Sequence, residues 1–190
     1  MPDAAGSLPA RETGKESIKF RTDRTPGWPT ARPLDYDESR SGPVQDFRVL
    51  EHTADVGFEA FGATREEAFR NAGRALMDLI VDLDSVAPRE RVAVAAEARE
   101  PAGLLVAWLS EIVYLYDAEG WLFRDFEVTR LADGGADGES GYCLAALGIG
   151  ERFEPGRHQI KLLVKAVTYH QLALDETRAG HWRAQVYLDI

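Results

Sequence analysis

The stretch TREEAFRNAGRALMDLI, residues 64–80, decides how the chain folds. Thr64 followed three residues later by Glu67 is a capping box: the hydroxyl accepts from the Glu67 N–H, and the carboxylate reaches back to the start of the helix. Beyond it, Ala68, Phe69, Ala72, Leu76, Leu79 and Ile80 recur at helical spacing and share one face. The spacing predicts a helix over about residues 65–80 whose apolar stripe needs a partner layer. Just upstream, FRVLEHTADVGFEAFG (47–62) alternates around Val56, Phe58 and Ala60, reads as a strand, and stops at Gly62. Downstream, Asp82, Asp84 and Pro88 mark a turn region, and RVAVAAEA (91–98) reads as a short strand. A second helix is expected from about 102 to 118, with Leu104, Leu105, Trp108, Leu109, Ile112, Val113 and Tyr116 in register and Gly120 as its stop.

The remainder is strand-rich. WLFRDFEVTR, YCLAALGIGERF, IKLLVKAVTYHQLAL (one long strand, or two joined at a bend) and HWRAQVYLDI are separated by the turns ADGGADGESG and Pro155-Gly156. In the last strand Trp182, Ala184, Val186 and Leu188 share one face, and Arg183, Gln185, Tyr187 and Asp189 the other. Two helices among early strands, then a run of strands, predict an α+β domain over residues 46–190. Its sheet is expected to be mixed or mostly antiparallel, with two helices packed on one face. Alternating βα units do not continue to the end, so a doubly wound parallel sheet is excluded.

Residues 1–45 hold six of the nine prolines and little apolar clustering, so they read as a disordered or loosely docked extension, with Trp28 either an incidental aromatic or a docking anchor. They also carry seven basic and seven acidic residues, which leaves the whole formal charge of −10 on residues 46–190. Affinity for nucleic acid comes largely from cations that neutralise phosphates, so tight direct nucleic-acid binding is not expected; a cation or a basic protein surface suits the domain better. Cys143 is the one cysteine and lies in an apolar strand pattern, which reads as a core thiol in a reducing, cytoplasmic compartment. No window approaches the roughly 18 apolar residues of a membrane helix, and the N-terminus has no apolar signal region.

Phosphate loops, dinucleotide fingerprints, nucleophile elbows and zinc-protease motifs are all missing, and His52, His158, His170 and His181 lack zinc-ligand spacing. Three segments remain. Glu51-His52-Thr53-Ala54-Asp55-Val56-Gly57 puts polar groups at the mouth of an apolar strand, with a glycine that permits close backbone approach; by itself it reads first as a turn in which Thr53 and Asp55 satisfy local backbone groups. Lys165, in KAVTYH, is either an edge-strand charge or a cation aimed at something. Asp189 and Ile190 place a carboxylate, a last carbonyl and an α-carboxylate together, hard oxygen donors of the kind that bind magnesium or calcium. Taken alone, a terminal aspartate is a solvated group. Should Asp55 meet that end in space, two like charges would repel unless a cation lay between them.

In this order the segments resemble the archease family, whose pattern runs H-T-A-D-[IV]-G, a T-x-E-E-A-F-x-N-A helix, a W-L-x-E-[LIV]-x-Y-L helix, K-A-[VI]-T-Y-H and a final D-I. The matching blocks are HTADVG (52–57), TREEAFRNAGRALMDLI (64–80), LLVAWLSEIVYLYDAEGWLF (104–123), KAVTYHQLAL (165–174) and DI (189–190). Two departures are Ala107 and Ser110, where the pattern has Asp and Asn. The resemblance implies an activator, not itself an enzyme, of RtcB-type RNA ligases. These use GTP and manganese to join 3′-phosphate and 5′-hydroxyl RNA ends in tRNA splicing or RNA repair. It also implies a calcium-like divalent metal on Asp55, Asp189 and Ile190. Lys165 would then contact phosphate or partner, and His52, Thr168 and His170 would support the ligands. Two alternatives stay open: a chaperone-like interaction module without a metal role, and a stand-alone metal-dependent hydrolase with Asp55 as base.

Overall fold

The computed structural model describes residues 47–51, 55–133, 141–177 and 180–190. The expected extension (1–45), with Trp28, lies outside the described residues, as do His52 and most of the ADGGADGESG turn.

The capped stretch forms helix α1, Arg65–Ile80. The Thr64 hydroxyl accepts from the Glu67 N–H at 3.2 Å, while the Glu67 carboxylate accepts from the N–H of Ala63 at 2.8 Å, so the box closes one residue further out than expected. The second helix, α2, spans Pro101–Glu119 and ends at Gly120, whose left-handed backbone (φ 71°) frees its N–H to cap the last carbonyls.

Among the described residues the strands are β1 (Phe47–Glu51), β2 (Asp55–Gly62), β3 (Glu90–Ala98), β4 (Trp121–Asp133), β5 (Tyr142–Arg152), β6 (Ala166–Glu176) and β7 (Trp182–Asp189). Two expectations are corrected. The segment 47–62 is a hairpin, β1 against β2, not one strand; the alternation read around Val56, Phe58 and Ala60 belongs to β2 alone, and Phe47 and Val49 of β1 fall opposite Ala60 and Phe58. The strands also divide into two sheets, β1-β2-β7-β6 and β3-β5-β4, and every pair among them is antiparallel. The α+β class stands, and each sheet turns one face to the helices.

α1 packs on β2 and β7 of the first sheet and on β4 of the second, and α2 packs on β6, β3 and β5. Contact from both sheets explains why α2 buries Leu104, Leu105, Val106, Trp108, Leu109, Ile112, Val113 and Leu115, far more than one stripe. The Trp108 indole N–H donates to the Phe69 carbonyl at 3.1 Å, and its ring meets Phe126 edge-on at 5.2 Å, joining both helices to β4. No helix among the described residues is long and apolar enough to cross a membrane.

At the far end of β5 the chain passes close to β4. A Cβ on Gly150 would lie 1.9 Å from the Leu122 carbonyl oxygen. The next residue, Glu151, is buried yet ionised. Burial pushes its carboxyl upward, but the Arg157 hydrogen bond, the Ala87 N–H (2.6 Å), His158 (3.2 Å) and the Arg157 charge together pull it down to about 2. Arg89 adds a further ion pair at 3.2 Å. His158 accepts the Glu154 N–H on Nδ1 at 3.0 Å, which leaves Nε2 as the ring nitrogen that faces Glu151.

Two stability outcomes are expected. Gly150→Ala should destabilise by about 1–3 kcal/mol in urea titration, because backbone must move to admit the methyl. Glu151 is depressed in the folded state, so its stabilisation is whole above the unfolded value of 4.5 and is lost as pH falls towards about 2. Glu151→Gln should therefore be less stable than the parent at pH 7, and the gap should narrow on acidification.

Candidate functional site

β7 lies between β2 and β6, and its register fixes the site. Asp55 stands directly opposite Asp189, and Ala166 stands opposite Asp189 on the other side. Phe58, Ala60, Ala184, Val186 and Leu188 are buried on the face towards the helices. Alternation then puts Asp55, Gly57 and Glu59 of β2, with Arg183, Gln185, Tyr187 and Asp189 of β7, on the opposite face. Residues opposed in this way bring their Cβ atoms within about 5 Å, and like charges so placed destabilise the pair.

The charges along this face are unevenly compensated. Away from Asp55, Glu59 is buried beneath two arginines: Arg48 (2.6 and 3.1 Å) and Arg183 (3.1 Å). Arg183 in turn holds both oxygens of Asp175, at 3.0 and 2.8 Å. The Asp175 hydrogen bond, against the effect of burial, pushes the Arg183 guanidinium up and keeps it charged. At the Asp55 end, neither Asp55 nor Asp189 has a hydrogen-bonding or ion-pairing partner for its carboxylate among the described residues. The nearby cation is Lys165. Its N–H donates to the Asp189 carbonyl at 2.9 Å, and its Nζ donates to the Ile190 carbonyl oxygen at 2.8 Å.

The residues selected from sequence thus fall into two groups. Asp55, Asp189, Ile190 and Lys165 meet at one end of β7. Thr168 and His170 lie one step along: the Thr168 hydroxyl donates to the Tyr187 carbonyl (3.0 Å), and the His170 ring meets Tyr187 edge-on at 5.4 Å. Across the ladder both reach β7 at Tyr187, two residues before Asp189. Sequence reading missed Tyr187 as part of the site. Its ring lies over Gly57, where a Cβ would come within 2.8 Å of it, so the close approach permitted by that glycine is by a side chain. Of the helical departures from the family pattern, Ala107 is half-buried and packs on the core margin, and Ser110 is exposed.

Two carboxylates and a carbonyl suit a hard divalent cation in donor type. No three His, Cys, Asp or Glu side chains cluster as a metal site among the described residues, so backbone or terminal oxygens would have to complete the shell. A separate cleft, lined by Thr64, Glu66, Arg70, Asp125, Phe126 and Ile149, contains none of the sequence-selected residues. Its Asp125 is pushed up by burial but held below its ordinary range by Arg70, which grips both carboxylate oxygens at 2.8 and 2.6 Å.

Two antiparallel sheets around a helix pair, with opposed carboxylates at one end of a central strand, define a small α+β domain whose distinctive surface is acidic. Residues 47–190 match the Archease protein family (MTH1598/TM1083), and the chain belongs to that family. It is 40% identical over 144 residues to protein archease of Methanosarcina mazei, covering 76% of this chain and 95% of that one. With protein archease of Pyrococcus furiosus the identity is 37% over 147 residues, 77% of this chain and all of the other. The solution structure of Methanobacterium thermoautotrophicum protein 1598 superposes with a TM-score of 0.66 at 32% identity, covering 76% of this chain and 99% of that one.

Asp55→Asn removes one of two opposed like charges. In metal-free buffer it should raise stability by about 0.2–1 kcal/mol in urea titration, whereas a carboxylate held by a hidden internal partner would give a loss.

Proposed function

We propose that the chain is an accessory protein of an RtcB-type RNA ligase, promoting guanylylation and repeated turnover, and that it holds a calcium-like divalent metal at Asp55, Asp189 and Ile190. The observation that carries the metal part is the pair of directly opposed carboxylates without cationic partners among the described residues, on a face where Glu59 and Asp175 are paired. Membership of the archease family supports the ligase part. A bound divalent ion would neutralise the pair and offer open positions to phosphate oxygens.

The chain's own residues supply the rest. Asp55 and Asp189 are placed by the ladder rather than by flexible loops, which keeps their separation fixed. Thr168 ties β6 to the Tyr187 carbonyl and so steadies the end of β7. Lys165 is the phosphate- or partner-facing cation, anchored through its own backbone at Asp189. The acidic domain speeds encounter with a basic nucleic-acid enzyme at low salt. His52, in the family block HTADVG, is the further candidate support.

One contact favours a second reading, an interaction module with no metal role: Lys165 Nζ already takes the Ile190 carbonyl oxygen. The readings part in a ligation assay with limiting cognate ligase and RNA ends bearing 3′-phosphate and 5′-hydroxyl. The parent chain should raise turnover and guanylylation, and Asp55→Ala or Asp189→Ala should cut that gain about tenfold or more. Calcium at about 100 times its Kd should stabilise the parent by about 2.7 kcal/mol and leave Asp55→Ala unmoved. No gain with the parent sinks the accessory role; full gain with both alanine variants sinks the metal role alone.

A further inference from the structure

Edge strand β6 carries a built protrusion that the proposed metal site does not use. Its ladder with β7 is regular to Thr168↔Tyr187 and resumes at Ala173↔Gln185, so residues 169–172 stand against Val186 alone. Such an insertion lifts the chain out of the ladder and re-aims its side chains. Gln171 adopts φ 47°, a conformation that a non-glycine residue takes at a cost of about 1 kcal/mol or more.

Four contacts hold the protrusion. Gln185 Nε2 donates to the Gln171 carbonyl at 2.9 Å, and Gln171 Nε2 lies 3.0 Å from His170 Nε2. The His170 N–H donates to the Thr168 hydroxyl at 3.3 Å, and its ring stacks edge-on against Tyr187. A strained turn braced this way is a fixed shape, and it holds Tyr169 60% exposed. Leu163, before the strand, is 68% exposed, and Ile190 is also exposed. Among the described residues five large hydrophobics are exposed, and these three all belong to β6, its lead-in and the adjoining end of β7. The others, Tyr114 and Phe153, lie on α2 and just after β5.

We infer that this edge, with Tyr169 and Leu163 as its anchors, is the surface by which the chain grips its partner ligase. The inference rests on the accessory reading above and divides the labour within it: the edge supplies affinity, and the Asp55/Asp189 end supplies activation. The occupant is a protein surface with an apolar pocket bordered by arginine or lysine. Asp189 and Glu176, both exposed at opposite ends of the β6–β7 pair, call for a basic rim; Asp175 is already held by Arg183. Continuity supports the same occupant: Ala166, at the start of the edge, is the ladder partner of Asp189, and Lys165 beside it binds Ile190. Exposed aromatics of this kind are common binding hot spots.

The test titrates Tyr169→Ser, Leu163→Ser and the double variant against the cognate ligase, reading both the half-saturating concentration for activation and direct binding by calorimetry. The double variant should need about tenfold more protein or greater for half-saturation, with turnover at saturation unchanged. Tyr169→Phe should restore most of the affinity, and Asp55→Ala should bind normally but fail to activate. The Tyr169 and Leu163 variants should keep the parent melting temperature, since both side chains are exposed. If the parent activates and the double variant shows an unshifted half-saturation, this inference fails while the accessory reading survives. An equal shift with Tyr114→Ser, or a parent dimer in sedimentation that Tyr169→Ser breaks apart, would overturn it, the latter by assigning the edge to a second copy. If the parent itself does not activate, the parent reading falls first.

Discussion

Everything at the acidic end of this domain depends on the register of β7. Ala184, Val186 and Leu188 must face the helices, because turning them outwards would expose three side chains that are fully buried and would bury a glutamine, an arginine and a tyrosine instead. A slip of one residue would do that to the whole strand. Apolar packing on one face therefore sets polar geometry on the other. Asp55 and Asp189 are opposed because Val186 is opposite Phe58, not because the carboxylates attract. The unfavourable juxtaposition is imposed by the core, which is the usual way a protein sustains a local arrangement that would not form by itself.

The distribution of compensation follows from this. Where the same face could pair its charges, it has done so: Glu59 lies beneath Arg48 and Arg183, and Arg183 also takes Asp175. Glu151, elsewhere, draws in Arg89, Arg157 and His158. Against this background the Asp55 and Asp189 pair, without a cationic partner among the described residues, is informative. Burial is not the reason for it, since Asp189 is exposed, and neither is lack of nearby cations, since Lys165 reaches Ile190 instead.

Much of this was legible in the sequence, for reasons that differ by element. α1 was readable to the residue because a cap and a 3.6-residue stripe agree at Thr64–Ile80. The split of β7 into core and outer faces was readable because period-2 alternation is local. The hairpin at 47–62 and the division into two sheets were not, because alternation reports which way a residue faces and says nothing of which strand lies alongside. Asp55 and Asp189 could be named as candidates, but their opposition is a pairing over more than 130 residues of chain, carried here only by the family resemblance. Tyr187 was placed on the correct face, yet its seat over Gly57 depends on that same long-range pairing. The protrusion at 169–172 left no signal beyond the uncertainty over whether 160–174 was one strand or two.

The pairing of β2 with β7 also has a consequence for how the chain is made. β2 is synthesised before its sheet partner β7, which follows every other described strand. Until then the apolar side of β2 and the α1 stripe have only the intervening elements to cover them, and non-local pairing of this kind is slow to form. The opposed carboxylates cannot exist on a nascent chain cut short before residue 182. The opposed pair therefore exists only once β7 has docked between β2 and β6.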